Sequence, residues 1–243
     1  MGLYRDSGVV LRSHLLGEAD KIVTLLTREN GVVRAVAKGV RRTRSRFGAR
    51  LEPMSHIDLQ LHTGRSLDVV TQAETLHAFA TDVGGDYARY TAGTAVLETA
   101  MRLLPVEREP SPQLYQLLVG GLHALTVTRR DPGLVLDAFG LRALAVAGYG
   151  PGFEACTRCG APGPHTAVAL DAGGAVCPQC RPPGAAHVPP ETMHLLGVLL
   201  SGDWAAAEAS EPWARRRASG VVGALLQWHL EAGVRSLRLV ERT

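Results

Sequence analysis

The sequence predicts an α+β protein in which a small five-stranded β-barrel is followed by a mainly helical domain with a cysteine-rich insertion. Three observations predict it. Five short apolar runs separated by turn signals occupy about the first 75 residues. Beyond residue 80 the apolar residues no longer alternate, and proline and glycine divide longer, helix-like stretches. Four cysteines then follow within 25 residues of one another. We expect a barrel domain over residues 1–80 and a helical domain over residues 81–243.

Each predicted strand is a short run rich in Val, Leu and Ile. The runs cover residues 8–16, 21–27, 32–40, 55–62 and 66–72. The fourth is the clearest, because Ile57, Leu59 and Leu61 alternate with polar residues, as in a strand with one buried face. Five strands in this length fit an OB-fold, a barrel that often binds single-stranded nucleic acid in a basic groove. Other small barrels have the same number of strands.

The predicted helices cover residues 91–104, 113–128, 134–147, 191–200 and 212–232. Ser111 and Asp131 each precede a proline, which is typical of an N-cap followed by the first helical residue. Gly148 is placed to end the third helix. In the last helix, an apolar face is predicted from Val221, Leu225, Trp228 and Leu230.

Positive charge is concentrated between Asn30 and Leu51, where seven cations occur with no acid. They are Arg34, Lys38, Arg41, Arg42, Arg44, Arg46 and Arg50. Most lie between the third and fourth predicted strands, where a barrel can project a loop without disturbing its core. Such a cluster favours a polyanion, and nucleic acid is the commonest one. The alternative is a solvated loop without a partner. Phe47 in this run either stacks on a base or anchors the loop.

The whole-chain charge agrees with this placement. Residues 1–80 hold 12 Lys and Arg against 8 Asp and Glu, and residues 81–243 hold 14 against 15. The excess of positive charge therefore lies in the N-terminal third. No apolar run of 18 residues and no secretory leader is present, which predicts a soluble, cytoplasmic protein, nucleoid-associated if it binds DNA.

The four cysteines form two C-x-x-C pairs separated by 17 residues, Cys156 and Cys159 with Cys177 and Cys180. This spacing is typical of a four-thiolate zinc site within a lobe of about residues 153–187. The alternatives are redox C-x-x-C motifs or disulfides, which a cytosolic chain without a surrounding βαβ pattern disfavours. Since four thiolates leave no open coordination position, we expect the zinc to be structural.

Motifs for bond chemistry are missing from the sequence. It has no phosphate-binding loop of the Walker type, no nucleophile elbow, no metalloprotease helix and no clustered acids of a two-metal nuclease. We therefore predict a binding protein and no enzyme. Two rivals remain open: a nucleic-acid-processing enzyme, and a zinc-containing adaptor whose basic loop binds acidic proteins.

Several short segments in order resemble the bacterial RecO family of recombination mediators. They are residues 17–21 (GEADK), 27–31 (TRENG), 37–42 (AKGVRR), 45–47 (SRF), 139–148 (FGLRALAVAG) and 236–239 (SLRL). The resemblance spans nearly the full length. It implies an N-terminal OB-fold, a helical domain and a zinc knuckle. It also implies binding and annealing of single- and double-stranded DNA, partnership with RecR, and contact with the C-terminal tail of the single-stranded-DNA-binding protein.

Overall fold

The computed structural model describes residues 2–104, 107–127, 130–230 and 234–240. Its α-carbons cluster into two compact units, Met1–Thr126 and Val127–Thr243. The mixed α+β class, with five strands at the N-terminus and helices after them, is confirmed. The predicted division into domains at residue 80 stays a prediction. No helix among the described residues is long and apolar enough to cross a bilayer.

The strands of the first unit close into a barrel in the order β1-β2-β3-β5-β4. Their bounds are β1 Leu3–Leu16, β2 Asp20–Thr27, β3 Gly31–Ala37, β4 Ser55–His62 and β5 Asp68–Ala78. Every neighbouring pair is antiparallel except β3 and β5, which run parallel and pair only at Ala35 and Val36. The edge of β3 before Ala35 is therefore left without β5 as a partner.

The barrel core follows the alternation seen in the sequence. Ile57, Leu59 and Leu61 of β4 are buried, whereas His62 is exposed. β5 extends to Ala78, well beyond the predicted end, because it pairs with β4 as far as Ser55. The residues of that extension are largely exposed, so the apolar pattern could not reveal it.

Three helices complete the first unit: α1 Phe79–Val83, α2 Tyr87–Leu103 and α3 Pro112–Thr126. The short α1 was not predicted. Asp86 caps α2, since its carboxylate accepts a hydrogen bond from the Arg89 N–H. Gly93 of α2 lies against the loop that leads into β4, where a Cβ would come within 2.9 Å of Met54 Cε. The predicted stop at Pro105 and the end of the second predicted helix at Thr128 lie outside the described residues.

The second unit contains α4 Pro132–Val146, α5 Pro190–Ser201, α6 Trp204–Glu208, α7 Pro212–His229 and a 3₁₀-helix, Arg235–Leu239. Asp131 caps α4 as predicted, because its Oδ1 accepts from the N–H groups of Gly133 and Leu134 at 2.7 and 3.1 Å. Gly148 follows the end of α4 in the left-handed region, with φ of +88°.

The predicted apolar face of α7 is partly wrong. Its buried residues are Ala214, Ala218, Ser219, Val222, Leu225 and Leu226. Trp228 is 58% exposed. The small residues Ala214, Ala218 and Ser219 supply half of the buried face, and a pattern of large apolar residues does not reveal them. Ala232, the predicted end of this helix, lies outside the described residues.

Candidate nucleic-acid interface and metal centre

The cations Arg34, Lys38, Arg41, Arg42, Arg44, Arg46 and Arg50 are all exposed. Arg34 lies on β3, and the other six lie in the connection between β3 and β4, residues 38–54, which we call the basic loop. Three apolar side chains of this loop, Val40, Phe47 and Leu51, belong to the barrel core cluster. Phe47 is 1% exposed, which confirms that it anchors the loop and does not present its ring to a base.

The base of the basic loop is tied to the turn between β1 and β2. Asp20 Oδ1 accepts from the Gly39 N–H at 2.7 Å, and the Arg41 N–H donates to the Ala19 carbonyl at 3.0 Å. Gly39 has φ of +68°, which favours glycine at this turn. Glu52, an acid near the end of the loop, pairs with Lys21 at 2.5 Å. That carboxylate therefore has a partner on β2.

Within the part of the chain that the structure describes, Arg34 is the only one of the seven cations that contacts a carboxylate. Its Nη1 lies 3.5 Å from Glu107 Oε1, and both side chains are about half exposed. Arg41 donates to the Glu18 carbonyl at 2.8 Å, and Arg50 donates to the Arg46 carbonyl at 2.9 Å.

The remaining loop cations have no acidic partner either. The Arg46 guanidinium lies 4.9 Å from the centroid of the Phe47 ring. The side chains of Lys38, Arg42 and Arg44 have no hydrogen bond or ion pair with any described residue. Their charge is therefore available to an anionic ligand.

Arg12 extends this positive surface, and the sequence analysis missed it. In the sheet register, Arg12 of β1 lies opposite Thr24 of β2, which in turn lies opposite Arg34 of β3. Residues directly opposite one another share a face. Arg12 and Arg34 are exposed, whereas Val23 and Leu25 on either side of Thr24 point into the core. The shared row depends on strand register, which residue order alone does not show.

The second site is the cysteine cluster. The Sγ atoms of Cys156, Cys159, Cys177 and Cys180 all lie within 4.8 Å of one another. Those of Cys159 and Cys177 are 3.7 Å apart. A tetrahedral zinc with Zn–S bonds of about 2.3 Å holds its sulfurs about 3.8 Å apart. The four donors therefore fit a tetrahedral ion, and they are the group among the described residues that could hold a metal.

Two tight turns and a small sheet bring the cysteines together. The Gly160 N–H donates to the Cys156 carbonyl at 2.8 Å, and the Cys180 N–H donates to the Cys177 carbonyl at 3.1 Å. The sheet has the order β7-β6-β8, with β6 Ala167–Ala169, β7 Gly174–Ala175 and β8 Ala186–His187. Its core is made of small residues and two of the cysteines. Such a core buries little apolar surface, so a bound metal would supply much of the stability of the lobe.

The thiols of the cysteine cluster differ in pKa. The pKa of the Cys156 thiol is lowered to about 6, chiefly because the Cys177 N–H points at its sulfur. The pKa of the Cys180 thiol is raised to about 12 by its hydrogen bonds with the sulfurs of Cys159 and Cys177 and by burial. Four adjacent thiols cannot all ionise without a compensating cation. A divalent metal that binds thiolates would provide that charge.

Two family models and a full-length relative match this chain. Residues 1–79 match the family model described as Recombination protein O N terminal, and residues 84–238 match the one described as Recombination protein O C terminal. The chain is 60% identical over 242 residues to a protein of Thermobifida fusca (strain YX) named DNA repair protein RecO. That match covers 100% of both chains.

Proposed function

The chain belongs to the RecO family of DNA repair proteins, and from this premise we propose that it is a recombination mediator. It binds single- and double-stranded DNA, anneals complementary strands and helps to displace the single-stranded-DNA-binding protein during repair. Its protein partners in this proposal are RecR and the C-terminal tail of the single-stranded-DNA-binding protein. The role requires no bond chemistry, so the protein acts without being an enzyme, in the cytoplasm and at the nucleoid.

One observation carries the proposal: of seven exposed cations on β3 and the basic loop, only Arg34 has a carboxylate partner among the described residues. Phosphates that bind here displace few existing contacts. Neutralising the phosphates of two strands raises their local concentration and reduces their repulsion, after which base pairing supplies the driving force for annealing. The position of Arg12, level with Arg34, extends this surface over β1 and β2.

We assign the barrel to the OB-fold. The strand order β1-β2-β3-β5-β4 and the short parallel pairing of β3 with β5 support this assignment. OB-folds bind oligonucleotides on the face of strands 2 and 3 and on adjoining loops. Arg34 lies on that part of the barrel, and the basic loop leaves from the end of β3.

We assign a structural zinc ion to Cys156, Cys159, Cys177 and Cys180. The short sulfur–sulfur distances and the soft thiolate donors support zinc, and the full set of four ligands leaves no position for a reacting water. The ion would fold the lobe of about residues 153–187 and would take no part in DNA annealing directly.

The test of the proposed function is a triple substitution in the basic loop, Arg41→Gln, Arg42→Gln and Arg44→Gln. We expect weaker binding to DNA of any sequence, because these side chains reach phosphates. If all seven cations bind single-stranded phosphates, a plot of log affinity against log salt concentration has a slope of about −5. The variant removes three of these contacts, so its slope should be less negative by about 2. The matched control removes the same charge elsewhere, through Arg181→Gln, Arg216→Gln and Arg217→Gln.

Annealing of complementary strands coated with the single-stranded-DNA-binding protein is measured on the same variants. Loss of annealing in the loop variant alone supports the proposal, whereas an unchanged slope removes the basic loop from the DNA site. Binding to an acidic peptide is compared with binding to DNA across the same salt range. Preference for the peptide would favour the adaptor function instead.

A further inference from the structure

A three-residue segment after α2, Glu107–Glu109, lies along the edge of β3 that β5 leaves open. Val32 and Glu107 form a parallel β-bridge, and the Arg108 N–H donates to the Val32 carbonyl at 3.0 Å. A side chain at Gly31 would collide with the carbonyl of Glu109. We call Glu107–Glu109 the acidic strap. It brings a glutamate beside Arg34, 73 residues away in the sequence.

The acidic strap is held in place by a buried carboxylate. Arg108 Nη2 lies 2.7 Å from Asp68 Oδ1, and the Asp68 side chain is 0% exposed. The Tyr4 hydroxyl donates to the other oxygen of Asp68. Arg108 has φ of +66°, a left-handed conformation that a non-glycine residue keeps only when its contacts hold it there. The backbone that carries Glu107 is therefore positioned by contacts on both sides.

Glu107 is an acid that lies against the proposed DNA surface. Its carboxylate lies 3.5 Å from the Arg34 guanidinium, and both groups are exposed enough for a ligand to reach them. Arg34 ends the row that begins at Arg12, and Glu107 contacts it at the open edge of β3. A phosphate that binds Arg34 therefore competes with the Glu107 carboxylate. An exposed ion pair of this kind contributes little to stability, so it is easily broken by a competing anion.

We propose that Glu107 limits the affinity of the DNA surface, because it competes with DNA phosphates for Arg34. The inference rests on the proposed function. A DNA phosphate that binds Arg34 displaces the Glu107 carboxylate from it. The displaced carboxylate then repels the DNA strand that carries this phosphate. Glu107 thereby lowers the affinity by the equivalent of about one phosphate contact. Weaker binding at this position favours release of the annealed duplex.

The test compares Glu107→Gln with Glu109→Gln in the full chain, with a labelled oligonucleotide as the probe. Glu109 is an exposed acid two residues away, and its side chain has no ion pair with a described residue. Both variants lose one negative charge and keep the backbone bridge to Val32. We expect Glu107→Gln to bind single-stranded DNA more tightly and to steepen the salt slope by about 0.7. We expect Glu109→Gln to leave that slope unchanged.

A second pair of variants tests whether Glu107 acts through Arg34. In an Arg34→Gln background, Glu107→Gln should have no larger effect than Glu109→Gln. Equal effects of the two glutamate substitutions in the natural background would overturn the inference and indicate general repulsion. If the unsubstituted protein shows no salt-dependent DNA binding, the proposed function itself is contradicted. That outcome differs from a failure of the Glu107 inference, in which the protein binds DNA but the two glutamate variants behave alike.

Discussion

The buried Asp68 and the half-buried His56 of the first unit show how local contacts decide the charge of a side chain. Burial alone would raise the pKa of Asp68, but hydrogen bonds from Tyr4, Arg108 and the Gly64 N–H lower it below the usual value. His56 has no acidic partner among the described residues. Burial and the neighbouring His77 lower its pKa, and its Nε2 lies 2.8 Å from the Tyr115 hydroxyl. Asp68 is therefore charged and His56 neutral at neutral pH.

The state of His56 predicts a pH dependence of stability. Because its pKa is lower in the folded protein than the unfolded value of about 6.5, the unfolded chain binds more protons as the pH falls. The contribution of neutral His56 is complete above that value and is lost on acidification. We expect His56→Gln to reduce the loss of unfolding free energy between pH 7.5 and pH 5.5, measured by urea denaturation.

Glutamine can keep a hydrogen bond to Tyr115, so this variant should fold. The other eight histidines are present in both proteins, and those that do not interact with His56 cancel in the comparison. The same pH dependence in both proteins would show that His56 titrates alike in the folded and unfolded chain.

At the scale of elements, one glycine allows α4 and α7 to pack closely. A Cβ at Gly140 would lie 3.0 Å from Leu226 Cδ1 and 3.2 Å from Val222 Cγ1. Both neighbours are about 1% exposed and sit in the buried face of α7. Glycine weakens a helix by about 1 kcal/mol relative to alanine, so its place in the middle of α4 needs a reason in packing. The close approach of α7 provides that reason.

Gly140→Ala should therefore destabilise the protein, since overpacking a core costs about 1–3 kcal/mol and exceeds the gain in helix propensity. The matched control is Gly220→Ala on the exposed side of α7, where a Cβ meets nothing within 4 Å. We expect that control to gain up to about 1 kcal/mol. Thermal unfolding followed by circular dichroism compares the two. A Gly140→Ala protein as stable as the control would contradict the packing argument.

At the scale of the whole molecule, the chemistry is divided between the two compact units. The basic loop and the buried Asp68 belong to the first unit, and all four cysteines belong to the second. The three tryptophans, Trp204, Trp213 and Trp228, also belong to the second unit. Intrinsic tryptophan fluorescence therefore reports on the unit that carries the proposed zinc site.

Removal of the metal should affect the second unit first. We expect a chelator to lower the temperature of the tryptophan fluorescence transition, because structural zinc contributes about 10–16 kcal/mol to folding in small peptides. Hydrogen exchange measured at the same time should show the β1–β5 amides still protected. The substitution Cys177→Ser should reproduce the effect and lower the zinc content of the purified protein. A chelator that leaves the fluorescence transition in place would contradict a structural zinc.

Much of the local organisation was predictable from sequence because it depends on neighbours in the chain. The strand β4 was predicted at its observed bounds, since its apolar residues alternate cleanly. The N-cap at Asp131 was also predicted correctly, because a cap needs only the next few backbone N–H groups. The order of family-specific segments indicated the RecO family, which the comparisons confirm. Zinc binding by the four cysteines and DNA binding by the seven cations stay predictions.

The sequence by itself determined where the five barrel strands and the longer helices lie along the chain, where positive charge concentrates, and that four cysteines have the spacing of a metal site. The tertiary structure decided that Arg12 lies level with Arg34 and that Glu107 faces the same arginine. It also left Trp228 exposed on α7 while Ala214, Ala218 and Ser219 are buried with three larger apolar residues. The physical reason is that periodicity and capping act over a few residues, whereas register and packing depend on segments far apart in the chain.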